Sequence, residues 1–329
     1  MKSTKSVVVM LATVAAITGC SKEYYPAGVP SVDPLRVLFE QNRTDADQTY
    51  FVDATQGGTV FGAHGTIITV QPNVFRTNAG AVVNGPVSIH LVEVMEPAEM
   101  VWLNMQTVVR YPNNDKGILQ SGGEVRVRAE ANGQQVTVAQ GAVQIHVPAA
   151  SIDPLMDRYI GAEDDDGDIL WEQDGDLLAD TGGVFFLDSA GGQGWVPGNF
   201  YTAPWPANTF GSNWPPFDFI NCDHPLPPGG DSTDVTITVP PGFGNWGTSV
   251  WIVLPDINCM VYQELWSGNT VRAGFPVRVG LQGTVVALSE QGGTYHSAFA
   301  PITITENHQQ TITLQPTTLA QYQQDLQGL

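Results

Sequence analysis

The heptapeptide Glu124-Val125-Arg126-Val127-Arg128-Ala129-Glu130 alternates charged and apolar residues without a break. Only an extended chain, whose successive side chains point to opposite faces, sorts that order into one polar and one apolar side. The same period of two recurs in Val87-Ser88-Ile89-His90-Leu91 and in Asp234-Val235-Thr236-Ile237-Thr238-Val239. Ser249-Val250-Trp251-Ile252-Val253-Leu254 is apolar on both faces, which predicts a central strand. Between such runs stand Gly57-Gly58, Asn84-Gly85-Pro86, Gly122-Gly123, Asn132-Gly133 and Gly292-Gly293, read as turns. The chain's 35 glycines and 23 prolines fit many short strands and turns, the pattern of antiparallel sandwiches. Helical pattern is confined to residues 34–41 and to 319–326, where Thr318 is placed to cap.

These signals predict an all-β chain of two antiparallel β-sandwich domains in series, joined by an acidic, aromatic-rich connector and followed by a short C-terminal helix. The expected boundaries are a leader at 1–19, a tether at 20–48, a first sandwich at 49–150, the connector at 151–221, a second sandwich at 222–318 and a helical tail at 319–329. The connector opens with GAEDDDGDILWEQDGDLLAD and then places eight aromatics from Trp195 to Phe219.

At the N-terminus, Lys2 and Lys5 precede an uncharged, largely apolar run from Val7 to Ile17, and Ile17-Thr18-Gly19-Cys20 follows. That is the layout of a secretory signal, and its last four residues resemble a bacterial lipobox. A run of 11 residues falls short of the roughly 20 needed to span a bilayer. The resemblance implies cleavage before Cys20, with diacylglycerol on its sulfur and an acyl group such as palmitate on its amine. It places the protein in a Gram-negative cell envelope, held at a membrane by lipid. Ser21, where an aspartate would signal inner-membrane retention, points to the outer membrane. The bland alternative is a secreted protein whose cysteine falls near the cleavage point by chance.

The stretch FVDATQGGTVFGAHGTIITVQPNVF, with GPVSIHLVEV, LQSGGEVRVRAEANGQQV and VQIHVP after it, resembles the ZU5 β-sandwich domain over about 100 residues. VPPGFGNWGTSVWIVLPD, GFPVRVGLQGTVVALSE and ITITENHQQTITLQP are similar to the small prealbumin-type domains found beside carboxypeptidases. The first resemblance implies an interaction and packing module without an active site. Some such modules cut themselves at His-Phe-Ser; here the nearest string is Tyr295-His296-Ser297-Ala298-Phe299, so self-cleavage is not carried over.

A formal net charge of −20 excludes a nucleic-acid partner, which would require a basic footprint. It also disfavours anionic lipid surfaces. Between Arg158 and Arg272 there is no lysine or arginine against 16 acidic residues, either a solvated surface or a site for a divalent cation. Asp164, Asp166, Asp168, Asp174 and Asp176 are the candidate calcium ligands. An EF-hand is rejected, because its first and twelfth positions would be Ala162 and Gln173. In the competing reading Asp166-Gly167 and Asp174-Gly175 are hairpin turns. No other cofactor is indicated.

Cys222 and Cys259, 37 positions apart, are expected to form a disulfide worth about 3–4 kcal/mol in the loop-entropy model. Free buried thiols or a metal pair are the alternatives. Trp205 and Trp214 are candidates for ligand stacking, against the simpler reading that the connector's rings cover the sheets. His90 and His146 are expected on solvated strand faces. Asp223-His224, with Gly230-Asp231-Ser232 nearby, reads as surface loop. No His-Glu-x-x-His, Gly-x-Ser-x-Gly or phosphate-binding glycine loop occurs, and no catalytic residue is assigned. The expected function is non-catalytic binding or scaffolding of a protein or glycan partner at the envelope. A glycan-binding surface and a hydrolase with an unrecognised site are the alternatives.

Overall fold

The alternating heptapeptide is the second half of a 16-residue strand, Lys116–Ala131, around which the molecule is built. In the computed structural model, which describes residues 33–138, 141–163, 168–187, 192–205, 219–226 and 230–329, this strand is central to an eight-stranded sheet. One edge of its C-terminal half pairs with Pro86–Val94, and Phe219–Pro225 pairs along its middle. The sheet continues through Asp157–Glu163 and Ile169–Asp176 to Val108–Arg110, and on the other side ends at Gln48–Asp53. Val125, Val127 and Ala129 point into a core shared with a five-stranded sheet. That sheet runs in the order Leu178–Thr181, Asn199–Trp205, Val143–Ala149, Ile67–Val70, Gly58–Phe61.

The fold is all-β with three helices among the described residues. Residues 151–221, read as a connector, supply strands to both sheets of the first sandwich. Their apolar residues explain this: Tyr159, Ile169, Trp171, Tyr201, Ala203 and Phe219 are all buried and would be costly left on a linker.

The second sandwich pairs a five-stranded sheet (Cys259–Tyr262, Thr248–Leu254, Gln282–Gln291, Thr294–Thr303, Gln315–Thr317) with a four-stranded one (Leu265–Ser267, Thr270–Arg272, Val235–Thr238, His308–Thr311). Thr248–Leu254 is buried at every position, as its two-sided apolarity predicts. Its even-numbered residues Val250, Ile252 and Leu254 enter the core between these sheets. Trp251 and Val253 face a different core, which they share with Val92, Val94, Tyr159, Trp171 and Phe219 of the first sandwich. Residues 33–329 therefore form one compact unit, with the sandwiches back to back across this middle core rather than spaced along the chain.

Helices fill the gap between them. Pro34–Asp45 is capped by Asp33, whose side chain accepts from the Leu35 N–H, and it buries Leu35 and Phe39. It runs four residues beyond the expected 34–41. Leu319–Leu326 starts at the Thr318 cap and buries Tyr322 and Leu326. No helix among the described residues is long and apolar enough to cross a membrane.

Asn132-Gly133 and Gly292-Gly293 are two-residue hairpin turns with positive φ at both positions, as read. Gly122-Gly123 is not a turn: it lies inside Lys116–Ala131 where the neighbouring strand's register shifts between Asn221 and Asp223. A Cβ on Gly122 would stand 2.9 Å from the Cys222 carbonyl, and one on Gly123 would meet the Met95 sulfur at 2.8 Å. Close approach to the Cys222 carbonyl requires glycine at 122, and a φ of +130° requires it at 123; neither is a chain reversal. Asp174-Gly175 likewise belongs to the strand Ile169–Asp176, at a shift in its pairing with Asp157–Glu163.

Candidate functional site

At one end of the first sandwich the Gly122-Gly123 irregularity opens a cleft of about 680 Å³. Its floor is Ser121, Gly122, Met156 and Tyr201, and its rim carries His64, Glu96, Glu99 and Asp153. The rim is built by carboxylates acting as structural acceptors. Glu93, 5% exposed, accepts from the backbone N–H groups of His64 and Thr66 and from the Gln48 amide. It thereby holds the loop 62–66, where a Cβ on Gly62 would strike that carboxylate. Glu99 accepts from the N–H groups of Met95 and Glu96 at the start of the helix Pro97–Leu103, and its other oxygen lies 3.3 Å from His64 Nδ1. Asp153 faces His224 Nε2 at 3.3 Å, and its N–H donates to the Tyr201 hydroxyl.

Every charged group on the rim is thus acidic or a histidine paired with an acid. The Ser121 hydroxyl donates to Asn221 Oδ1 at 3.0 Å and accepts from the Gly123 N–H. It therefore engages an amide side chain and a backbone N–H, and it also hydrogen-bonds the Asp223 carboxyl behind it.

Directly beneath this floor lie two carboxyl groups that sequence reading missed. Glu124 and Asp223 are both 0% exposed. Burial, and for Glu124 also the nearby Asp223, push both well above the usual carboxylate range. Asp223-His224 is therefore not surface loop; it belongs to the buried strand Phe219–Pro225. The polar face of the heptapeptide, which alternation alone would leave to water, is covered by the second sandwich at Glu124. Further along, Arg126 lies over the Phe219 ring, 4.6 Å from its centroid, and Arg128 pairs with Asp47.

The expected Cys222–Cys259 bridge is not formed: both are free, buried thiols. Cys222 points into the core of the first sandwich and Cys259 into that of the second, so alternate strand faces send them to different cores. Burial raises both thiols, Cys259 to about 12, which leaves them un-ionised and unreactive.

Of the calcium candidates, Asp164 and Asp166 lie outside the described residues. Asp168 accepts from the Asn104 amide, and Asp174 is ion-paired with Arg158 at 2.9 Å. Asp176 is exposed at the end of its strand. Among the described residues no three His, Cys, Asp or Glu side chains converge to hold a metal.

Trp214 also lies outside the described residues, and Trp205 is placed only as the last residue of the strand Asn199–Trp205, paired with Val143. Phe200 and Tyr201 from the same segment are buried, while Trp195 is 46% and Phe185 73% exposed on the hairpin formed by Val184–Leu187 and Gln193–Val196. Their rings meet at a tilt of 57°, with centroids 4.4 Å apart. The apolar side of this hairpin covers the outer face of the five-stranded sheet through Val184, Val196, Phe200 and Ile67. His146, expected in solvent, is buried near that cluster, where its Nδ1 meets the Thr202 hydroxyl at 2.7 Å and burial lowers its basicity. His90 is partly buried and pairs with Asp47.

Cys20 precedes the described residues. No protein-family model matches the chain, and no curated protein matches it.

Proposed function

We propose that the chain is a lipid-anchored, non-catalytic protein of a Gram-negative envelope, most readily the outer membrane, whose rigid double sandwich presents the cleft above Ser121 and Gly122 as its binding surface. The observation that carries this reading is the cleft's chemistry. It has the volume of a small-molecule or peptide-side-chain site, yet its polar groups are committed to holding backbone rather than to activating a nucleophile. The ZU5 resemblance supports the same class, and the apolar leader ending at Cys20 supports the anchor.

The anchor is tested by labelling with radioactive palmitate in an expressing bacterium: label on the full chain and none on Cys20→Ala supports it, and equal label on both removes it. The cleft is tested by thermal-shift screening of envelope peptides and glycans, repeated with Ser151→Trp to fill the opening. Stabilising ligands whose effect disappears in that variant support the site. A hydrolytic activity on ester, amide or glycoside reporters that is lost in Ser121→Ala would replace it with an enzyme.

A second reading, glycan binding by stacking, is favoured by the exposed Phe185–Trp195 pair, with Phe61 and Phe186 in edge contact beside it at 5.0 Å. Polysaccharide-induced change in tryptophan fluorescence, abolished by Trp195→Ala, is its test.

A further inference from the structure

Beside the middle core, a cluster of buried polar atoms is left without hydrogen-bond partners. Glu124 sits in the long strand between Val94 on one side and Asn221 on the other. Asp223 is two residues beyond Asn221, whose amide donates to Asp223 Oδ2 at 2.6 Å. From the second sandwich, the Asn258 amide reaches across to donate to the carbonyls of Met95 and Ser121 at 3.0 and 3.1 Å. Cys259 follows, and the Met260 N–H donates to the Thr107 hydroxyl. The seam between the sandwiches therefore runs past the two carboxyls. Both oxygens of Glu124, Oδ1 of Asp223 and Oδ1 of Asn258 are buried with no hydrogen-bond partner.

Among the described residues, the charged and titratable groups around them supply no counter-ion: Asp157, paired across from Asp223, is itself acidic, and His224, next to it, is taken by Asp153. Cys259 of the second sandwich lies near both carboxyls, while Cys222 on the Asp223 strand and Tyr159 on the adjacent strand lie near Asp223; all three are neutral or negative. Arg158 is committed to Asp174, and Arg126 lies over Phe219. Glu99, on the helix packed alongside, is taken by His64 and the helix N-terminus. Two ionised carboxylates here would repel each other in a dry site with no cation, Glu124 without a single donor and Asp223 with only neutral ones to offset the lost hydration.

We propose that Glu124 and Asp223 form a proton-held latch: both carboxyls stay protonated while the sandwiches are closed on each other, and their ionisation loosens the seam beneath the cleft. Ser121, which lines the cleft and hydrogen-bonds within this group, gives protons a route to water. Burial holds both groups' protons to higher pH in the folded chain than in the unfolded one. The latch's stabilisation is therefore complete below about pH 4, the unfolded carboxylate range, and is lost progressively as pH rises toward the folded values.

The test is the melting temperature of the chain from residue 21 onward between about pH 6 and about pH 9, with Glu124→Gln, Asp223→Asn and the double variant alongside. The expected wild-type midpoint falls by about 5 °C or more across that range, and the double variant is flat and melts higher at the alkaline end. Infrared spectroscopy of the wild type at neutral pH gives a readout that needs no variant to fold: a protonated-carboxyl carbonyl band, which titrates away in alkali together with the loss of stability. Absence of that band, or a wild-type midpoint that does not fall with pH, overturns the proposal. So does a midpoint raised by calcium with a pH dependence that appears only after chelation, since the pair would then hold a metal ion.

Discussion

Two pairs of buried charge-bearing side chains lie on neighbouring strands of the eight-stranded sheet, and they are built on opposite principles. Arg158 and Asp174 face each other at 2.9 Å, with 7% and 0% of their side chains exposed. The guanidinium also donates to the carbonyls of Pro204 and Asp174, so few of its hydrogens are left without an acceptor. Glu124 and Asp223 are buried as deeply and have no cation among the described residues. Burial raises Asp174 as well, but Arg158 works against it; at Asp223 only hydrogen bonds from Ser121, Gly122 and Asn221 oppose the rise, and at Glu124 nothing does. The first pair keeps its charge because each member supplies what the other lost on leaving water. The second can be buried only by giving charge up. One is a fixed clamp within the first sandwich, and the other makes the contact between the sandwiches responsive to pH.

The comparison is broken most severely by removing one member of the paired site. Arg158→Met leaves Asp174 buried without its partner and is expected to cost about 3–5 kcal/mol, read as a lower urea midpoint at unchanged slope. Glu124→Gln removes no partner and is expected to be neutral or stabilising at neutral pH in the same assay. Equal losses in the two variants would erase the distinction.

A smaller effect follows from the backbone that brings the latch together. Gly122→Ala places a methyl group against the Cys222 carbonyl and the Tyr201 ring. It is expected to cost about 1–3 kcal/mol by overpacking, and ligands bound in the cleft would be weakened with it. Calorimetry showing an unchanged melt would mean that the strand yields easily at this point.

His146 provides a third buried group, with the sign reversed. Its basicity is lowered by burial, so its stabilisation is present above about pH 6.5 and lost as pH falls through its folded value. His146→Gln is expected to make the acid side of the stability profile shallower while leaving the alkaline side to Glu124 and Asp223. A melt series over both limbs separates them. Phe185→Ala, exposed on the aromatic hairpin, is expected to move stability by no more than about 0.5 kcal/mol, which makes it the control for surface binding.

Much of this was legible locally. Alternation gave residues 124–130 their extended conformation and their apolar face, and two-sided apolarity marked 249–254 as central. Asn132-Gly133 specified its own hairpin, because the required positive φ is a property of those two residues. Gly122-Gly123 carried the same local signal but a different cause. The need for glycine there comes from the Cys222 carbonyl at 122 and from a strand irregularity with positive φ at 123, which no neighbour in sequence announces. Glu124 looked like one charge of a solvated face, and Asp223 like part of a loop. The candidates that sequence favoured, the acidic run and the tryptophans, are in part outside the described residues and in part committed to structural pairing.

The sequence by itself determined the strands with clear alternation or two-sided apolarity, the all-β class, the C-terminal helix and its Thr318 cap, since these follow from the periodicity and backbone preferences of adjacent residues. It did not determine the helix Pro97–Leu103 or the strands of 151–221. Only the tertiary structure decided that the two sandwiches close on a common core, that Cys222 and Cys259 face different cores, and that Glu124 and Asp223 are sealed together. Whether a polar face meets water or another sheet depends on surfaces brought together from more than 100 residues away, and that information resides in packing rather than in any local pattern.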